Sequence, residues 1–256
     1  MLLKLAVNTL AFKDKFALNT QKAVAWISMP LWYYGCLIYL RCIRGYCIRD
    51  ISSLREQYKA VLKKQTKPLI ICANHLTKID SLILQWGLGS GCTYFKDFKA
   101  YSWNLPEFDR FKNNLFFRFV CYLGCCIPIH RGGDREKVNR SMNKIKYLLE
   151  HKHSAMIFPE GKRSITGKID TEEFAYGVGR LIQSVQNCEV LCIYLRGKSQ
   201  KEKSDFPKKN EKFFMSMEKI TPDSVGKGLR GTRDIASQII HQLARMEEDY
   251  FASGGQ

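Results

Sequence analysis

The sequence PLIICANHLTKID at residues 68–80 joins a short apolar run to a group of polar, chemically capable side chains. The same arrangement returns in SAMIFPEGKRS at residues 154–164, where a second apolar run leads into polar and cationic residues. A short apolar run bounded in this way predicts a buried strand. Because open α/β sheets carry their sites where strands end, the two stretches predict strands whose following loops form one site.

Apolar runs of this kind alternate with amphipathic segments along most of the chain. The predicted strands are residues 69–73, 93–95, 125–130, 154–158, 190–195 and 213–220. The predicted helices are residues 51–64, 80–88, 135–151, 175–186 and 232–246, and residues 111–123 are predicted to be a helix or an interfacial segment. This alternation predicts the α/β class, with a mixed, partly parallel sheet flanked by helices.

The charge of the chain is strongly positive. Its 256 residues, enough for one sizeable core, include 41 Lys and Arg against 24 Asp and Glu, a formal net charge of +17. Such a charge favours an anionic partner, either a nucleic acid or a lipid surface. Ten cysteines are too few for a disulfide scaffold of the small secreted kind, so we expect buried thiols and a reducing, cytosol-facing location.

An uncharged, aromatic-rich segment lies near the N-terminus, at residues 23–40. Its length is close to the ~20 residues that a membrane-spanning helix needs. Pro30 and Gly35 interrupt it, however, and its Trp and Tyr side chains prefer the membrane interface to the hydrocarbon centre. The segment therefore favours a lipid surface over a nucleic acid as the anionic partner.

These features predict two regions. We expect residues 1–45 to form a membrane-associating helical hairpin that does not cross the bilayer, with the arginines at 41–49 facing anionic head groups. Residues 46–256 would form the α/β domain. An ordinary buried helix pair and a single membrane span are the alternatives for the N-terminal region.

His75 and Asp80 have the chemistry of a general base and its orienting carboxylate. A hydroxyl group needs a base that is poised near neutrality, and an unperturbed His titrates at about 6.5. Asp80 would hold the other ring nitrogen and stabilise the imidazolium that forms. The structural alternative is a lone His beside an Asp that caps a helix.

Cationic residues follow two other predicted strands. Arg131 ends the block GCCIPIHR at 124–131, and Arg163 lies in FPEGKRS at 158–164. A guanidinium presents a planar fork of donors that matches phosphate geometry, so both residues are candidate phosphate ligands. A solvated Arg at a strand end is the alternative for Arg131.

Three blocks together resemble a known family. NHLTKID, GCCIPIHR and FPEGKRS occur in the order found in glycerolipid acyltransferases of the lysophosphatidic acid acyltransferase type, and the resemblance covers residues 65–195. The chain departs from the family pattern at Lys162, where Thr is usual, and in VLCIY at 190–194, where a Pro is usual. These departures bear on the identity of the acceptor and of the acyl chain.

The resemblance implies an enzyme, and it assigns roles to residues of this chain. The expected activity is transfer of a fatty acyl group from acyl-CoA or acyl carrier protein to a lysophospholipid hydroxyl, with 1-acylglycerol 3-phosphate as the favoured acceptor. No metal or cofactor is expected. The expected catalytic residues are His75 and Asp80, and the expected substrate-binding residues are Asn74, Arg131, Glu160, Gly161, Lys162 and Arg163.

Two other functions remain open. One is the same chemistry on a different acceptor, such as a lyso-ornithine or another amino-acid lipid. The other is a non-enzymatic, basic module that binds membranes or nucleic acids. Because nothing in the sequence matches a nucleic-acid-binding signature, we expect an anionic membrane surface at the cytoplasmic face, and no nucleic acid, as the partner.

Overall fold

In the computed structural model, which describes residues 10–130, 134–185 and 187–255, six strands form one mixed sheet. The strands are β1 (Cys47–Ile48), β2 (Leu69–Ala73), β3 (Trp103–Asn104), β4 (Ser154–Ile157), β5 (Glu189–Gly197) and β6 (Lys212–Ile220). Their order across the sheet is β1-β6-β5-β2-β4-β3. Every neighbouring pair is parallel except β5 and β6, which are antiparallel. The predicted α/β class with a mixed, partly parallel sheet is confirmed.

Helices cover both faces of this sheet. They are α1 (Phe12–Ile38), α2 (Ile51–Lys63), α3 (Asp80–Leu88), α4 (Gly91–Lys96), α5 (Leu115–Leu123), α6 (Arg135–Glu150), α7 (Gly177–Ser184) and α8 (Gly228–Ala252). The alternating side chains of β2 separate two cores: Ile70 and Cys72 pack with α6, α7 and α8, whereas Leu69, Ile71 and Ala73 pack with α2 and α3. Burial on both faces explains why β2 reads as a continuous apolar run.

Two predicted strands differ in the structure. Residues 93–95 lie in helix α4, whose N-cap Ser90 accepts a hydrogen bond from the Thr93 N–H. Residues 125–130 make only isolated parallel bridges, Asn104 with Cys126 and Glu107 with Ile129. Tyr94 in the first stretch, and Cys125 and Ile127 in the second, are buried by tertiary contacts, which the short sequence pattern does not distinguish from strand pairing.

The predicted N-terminal hairpin is wrong for the residues described. One helix runs from Phe12 to Ile38 and continues as a π-helical segment, Tyr39–Ile43. Pro30 lies inside this helix rather than at a bend. Met29 and Tyr33 on either side of it are buried against the domain, so packing outweighs the hydrogen bond that a proline removes. Residues 1–9 lie outside the described part of the chain.

Helix α1 is held against the α/β domain along its length. Near its start, Asp14 contacts Arg140 of α6 at 2.6 Å and Lys144 at 3.2 Å. In its middle, the Gln21 amide donates to the carbonyl oxygens of Tyr122 and Cys126. Towards its end, the Tyr33 hydroxyl donates to the Gly89 carbonyl. The helix therefore lies along the domain and presents only its outer side to the surroundings.

The Asp14 ion pairs should contribute to holding α1 in place. We expect Asp14→Asn to lower the free energy of opening of α1 by about 1–2 kcal/mol, because it leaves Arg140 and Lys144 without their carboxylate. Hydrogen–deuterium exchange of the α1 amides measures this. Glu150→Gln, which removes the exposed partner of Lys146 on the same helix α6, is the control and should leave α1 exchange unchanged. Equal exchange in both variants would contradict the role of Asp14.

Candidate active site

The two polar motifs leave the sheet side by side. Strands β2 and β4 are parallel neighbours, with Cys72 opposite Ile157, so the loops that begin at Asn74 and Phe158 emerge at the same edge. Strand β2 also pairs with β5 on its other side, and the chain order therefore reverses at β2. Ligands of open α/β sheets bind at such a reversal, outside the carboxyl ends of the strands.

His75 and Asp80 form the expected pair. The His75 Nδ1 atom lies 3.0 Å from the Asp80 Oδ2 atom, across the turn that leads into α3. The His75 side chain is 23% exposed, whereas that of Asp80 is only 4% exposed. Because Nδ1 faces the carboxylate, Nε2 is the ring nitrogen left for a substrate.

The Asp80 carboxylate also organises the loop before it. The backbone N–H groups of Leu76 and Thr77 donate to its Oδ2 atom at 2.6 and 2.8 Å. The buried Thr77 hydroxyl donates to Oδ1. Three donors from the chain, besides the imidazole, therefore fix the position of this carboxylate, and two of them come from Thr77.

The second motif holds His75 from the other side. The His75 N–H donates to the Glu160 Oε1 atom at 2.7 Å, and the Ser164 N–H donates to the His75 carbonyl at 2.9 Å. The Phe158 ring stacks on the imidazole, with 4.2 Å between ring centroids and 21° between planes. His75 is thus positioned at its backbone, at Nδ1 and on one ring face, which leaves Nε2 and the other face for substrate.

Glu160 is a buried carboxyl group with an altered titration. Its side chain is almost inaccessible to solvent, and burial raises its pKa from 4.5 to about 8; the hydrogen bond from the His75 N–H opposes this shift, and the nearby Glu247 and Asp80 add to it. Near neutral pH the protonated form is therefore favoured. Glu160 therefore supports the backbone of His75, and its role in binding substrate stays a prediction.

Asn74, which the sequence predicts to bind substrate, turns into the protein instead. Its side chain is buried, its amide nitrogen donates to the Leu195 carbonyl, and its amide oxygen accepts from the Leu195 N–H at 2.8 Å. Backbone pairing between β2 and β5 ends at Ala73 and Ile193, so Leu195 has no partner from the β2 backbone. The Asn74 side chain bonds the Leu195 N–H and carbonyl in its place. Asn74 thus positions the loop that carries His75.

The remaining residues of the second motif diverge. Gly161 has a φ of 70°, in the left-handed region that favours glycine, and it turns the chain away from Glu160. Lys162 extends to the surface and pairs with Glu173 at 2.6 Å. The Arg163 side chain is 14% exposed and contacts Asp205 at 3.0 Å. Lys162 and Arg163 therefore do not share a partner, and Arg131 lies outside the described residues.

Two contacts of the site were not predicted from the sequence. Lys78, within the first motif, pairs with the same Asp205 that contacts Arg163. One feature of the sequence indicates that Lys78 belongs to the site, namely its position between His75 and Asp80. No such feature indicates Asp205, which lies in residues 196–212, a stretch with the composition of a solvated basic connection. Only the fold brings Asp205 to the two motifs.

A family model described as acyltransferase matches residues 54–196, more than half of the chain. The chain belongs to the acyltransferase family. The matched residues include β2, β4 and nearly all of β5, together with the loops that carry His75, Asp80, Glu160 and Arg163. The family match therefore includes the edge of the sheet at which the structure brings these residues together.

This acyltransferase is similar to two characterised proteins. N-acylphosphatidylethanolamine synthase from Arabidopsis thaliana is 34% identical over 95 residues, which cover 37% of this chain and 32% of that protein. The match thus spans about a third of the length of the relative. The crystal structure of the 1-acyl-sn-glycerophosphate (LPA) acyltransferase, PlsC, from Thermotoga maritima aligns with 13% identity and a TM-score of 0.46, covering 91% of this chain and 97% of that one.

The buried Glu160 should make stability depend on pH. Between about 4.5 and about 8 the carboxyl ionises in the unfolded chain but stays protonated in the folded one. The unfolded state then binds fewer protons, so the free energy of unfolding should fall with rising pH, by up to about 5 kcal/mol in total. We expect Glu160→Gln, which keeps an acceptor for the His75 N–H, to abolish this part of the decline.

Urea denaturation of both proteins at several pH values measures the difference. The control is Glu56→Gln, which removes an exposed carboxyl group of α2. Parallel pH profiles for wild type and Glu160→Gln would contradict the assigned protonation of Glu160.

Proposed function

We propose that this protein transfers a fatty acyl group from an acyl thioester to the hydroxyl group of a lysophospholipid. The observation that carries the proposal is the His75–Asp80 pair, held at 3.0 Å where the strand order reverses and with Nε2 left open. Membership in the acyltransferase family supports the same reaction. The acyl donor would be acyl-CoA or acyl carrier protein, and no other cofactor is invoked.

The reaction follows from the positions of these two side chains. His75 Nε2 removes the proton of the acceptor hydroxyl. At the same time the hydroxyl oxygen attacks the carbonyl carbon of the thioester, so a C–O bond forms. The resulting imidazolium is stabilised by Asp80 at Nδ1. Collapse of the tetrahedral intermediate breaks the C–S bond, and the departing thiolate takes the proton from His75. The acyl group passes directly to the acceptor, without an acyl-enzyme.

We propose 1-acylglycerol 3-phosphate as the acceptor, which would yield phosphatidic acid. Arg163, in the loop beside His75, supplies a guanidinium that suits a phosphate. Arg131 is proposed as a second phosphate ligand on the basis of the sequence block 124–131 alone. A phosphate held at Arg163 would keep the glycerol hydroxyl near the imidazole.

A second candidate acceptor is an amine. The Arabidopsis thaliana relative is named for N-acylation of phosphatidylethanolamine, and its 34% identity supports testing this acceptor class, which includes amino-acid lipids. The general-base chemistry is unchanged, because His75 would remove a proton from the attacking nitrogen instead of from an oxygen.

We also propose that the outer side of α1 and α5 binds a lipid surface. Among the described residues, one helix, Phe12–Ile43, is long and apolar enough to cross a membrane. Its contacts with the domain instead favour a position along the interface, because both ends of α1 are attached. This apolar side consists of exposed residues of both helices: Phe12, Phe16, Ile27, Leu31, Leu115, Phe116, Phe117 and Phe119. Exposed apolar surface of this extent is typical of membrane interaction sites.

Replacement of His75 tests the mechanism. We expect His75→Ala to retain the fold and to lower the rate of acyl transfer by about 10²–10⁴-fold, because the general base is lost. His151→Ala is the matched control, since His151 is exposed at the end of α6 and precedes β4, whereas His75 follows the opposite ends of the parallel strands β2 and β4. Activity of His75→Ala within tenfold of wild type would rule out this mechanism.

A panel of acceptors tests the reaction itself. Purified protein is incubated with radiolabelled acyl-CoA or acyl carrier protein and, in turn, 1-acylglycerol 3-phosphate, zwitterionic lysophospholipids and phosphatidylethanolamine. We expect transfer to 1-acylglycerol 3-phosphate. Transfer to the amine alone would favour the second candidate, and the absence of transfer to every acceptor would favour the non-enzymatic membrane-binding module.

Replacement of apolar residues tests the lipid-binding side. We expect the double variant Leu31→Ser, Phe116→Ser to lower the fraction of protein that floats with anionic liposomes at least about fivefold, because apolar side chains that would enter the bilayer are lost. The control is Val225→Ser, since Val225 is fully exposed but lies outside α1 and α5. Equal flotation of both variants would show that another surface binds the lipid.

A further inference from the structure

One carboxylate bridges cations from both motifs. The Asp205 Oδ2 atom lies 2.6 Å from Lys78 Nζ, and its Oδ1 atom lies 3.0 Å from Arg163 Nη1. Arg163 Nη1 also donates to the Ser204 carbonyl at 3.0 Å. An acidic group with two oxygens thus occupies the place where an ammonium and a guanidinium from adjacent loops meet.

The backbone of residues 203–205 lies across both motifs. The Lys78 N–H donates to the Asp205 carbonyl at 3.1 Å, and the Ser204 N–H donates to the Leu76 carbonyl at 3.4 Å. The Lys203 N–H donates to the Ile165 carbonyl, also at 3.4 Å. Residues 203–205 therefore lie along the loop that carries His75, and they hold the Asp205 carboxylate at Lys78 and Arg163.

We propose that Lys78 and Arg163 form a binding pair for a phosphate monoester head group, and that the Asp205 carboxylate occupies this pair until an anionic acceptor displaces it. This inference rests on the proposed function, and it adds Lys78 as a residue that determines the acceptor. The internal carboxylate is a competitor that every acceptor must displace.

The charge and oxygen atoms of the Asp205 carboxylate predict which lipid head groups can displace it. A phosphate monoester carries about −1.5 to −2 charges near pH 7 and three acceptor oxygens, whereas the carboxylate carries one charge and two oxygens. A monoester can therefore replace both contacts of Asp205 and gain further ones. A phosphodiester carries a single negative charge and has fewer free oxygens, so it gains much less. The pair thus favours 1-acylglycerol 3-phosphate over zwitterionic lysophospholipids.

The exposure of the three groups permits this exchange. The side chains of Lys78 and Asp205 are 54% and 58% exposed, so water and ligand reach them. Arg163, at 14% exposed, is the fixed member of the pair. Ion pairs that are open to solvent contribute little net stability, so the carboxylate can leave without disturbing the fold.

Direct binding of glycerol 3-phosphate tests the pair without any turnover. Isothermal titration uses the full chain in detergent micelles. We expect Asp205→Asn to lower the dissociation constant roughly three- to tenfold, because both cations are released from an internal charge. In the Asp205→Asn background, Lys78→Gln should raise the dissociation constant for glycerol 3-phosphate by a similar factor. Each result supports the inference.

Matched variants separate the pair from general charge effects. Glu202→Gln removes an exposed carboxylate three positions earlier, and Lys67→Gln removes an exposed ammonium at the opposite end of β2. Both should leave the dissociation constant within about twofold of their parent, because Lys78 and Arg163 pair with Asp205 rather than with either of these side chains, and exposed, unpaired charges are screened by salt. If Asp205→Asn binds no more tightly than Glu202→Gln, or if Lys78→Gln behaves as Lys67→Gln, the inference is overturned.

Kinetic measurements distinguish failure of this inference from failure of the proposed function. With acyl transfer present, Asp205→Asn should lower the KM for 1-acylglycerol 3-phosphate and leave the KM for the acyl thioester unchanged. Transfer with unchanged acceptor KM and unchanged affinity for glycerol 3-phosphate overturns the inference and leaves the function standing. Changed affinity without transfer to any acceptor supports the anion-binding pair and overturns the function.

Discussion

The hydrogen bonds to the Asp80 carboxylate are the interactions on which the rest of the site depends. This buried group accepts from two backbone N–H groups, from the Thr77 hydroxyl and from the His75 imidazole. The same carboxylate therefore shapes the loop and orients the base. A side chain without two acceptor oxygens would leave buried donors unsatisfied, and the loop that carries His75 would lose its shape together with its chemistry.

The parallel register of β2 and β4 brings the remaining groups to this carboxylate. Because Cys72 lies opposite Ile157, the loops after both strands start at the same height and their backbones bond directly to each other. Glu160 then supports the His75 backbone from beneath, and Phe158 covers one face of its ring. The general base is thus held by two separate segments of chain, which together fix the orientation of its ring.

The anionic and apolar features of the proposed substrate correspond to different parts of the molecule. Lys78 and Arg163 lie at the strand ends, where both pair with Asp205. The apolar side of α1 and α5 lies on helices that pack outside the sheet. A lysophospholipid has the same division, with a charged head group and an acyl chain. The fold therefore offers a physical reason why a strongly basic chain carries a long apolar helix on its surface.

The sequence by itself determined the sheet class, the strands β2 and β4, the helix α3 and the His75–Asp80 pair, because these follow from local periodicity and from short spacing along the chain. It did not determine that α1 continues through Pro30, since only packing on the domain outweighs a broken hydrogen bond. Likewise, Asn74 bonds to β5 and Asp205 reaches Lys78 only through contacts between segments more than a hundred residues apart. The local sequence pattern determines which functional side chains are present, and tertiary packing determines which of them come into contact.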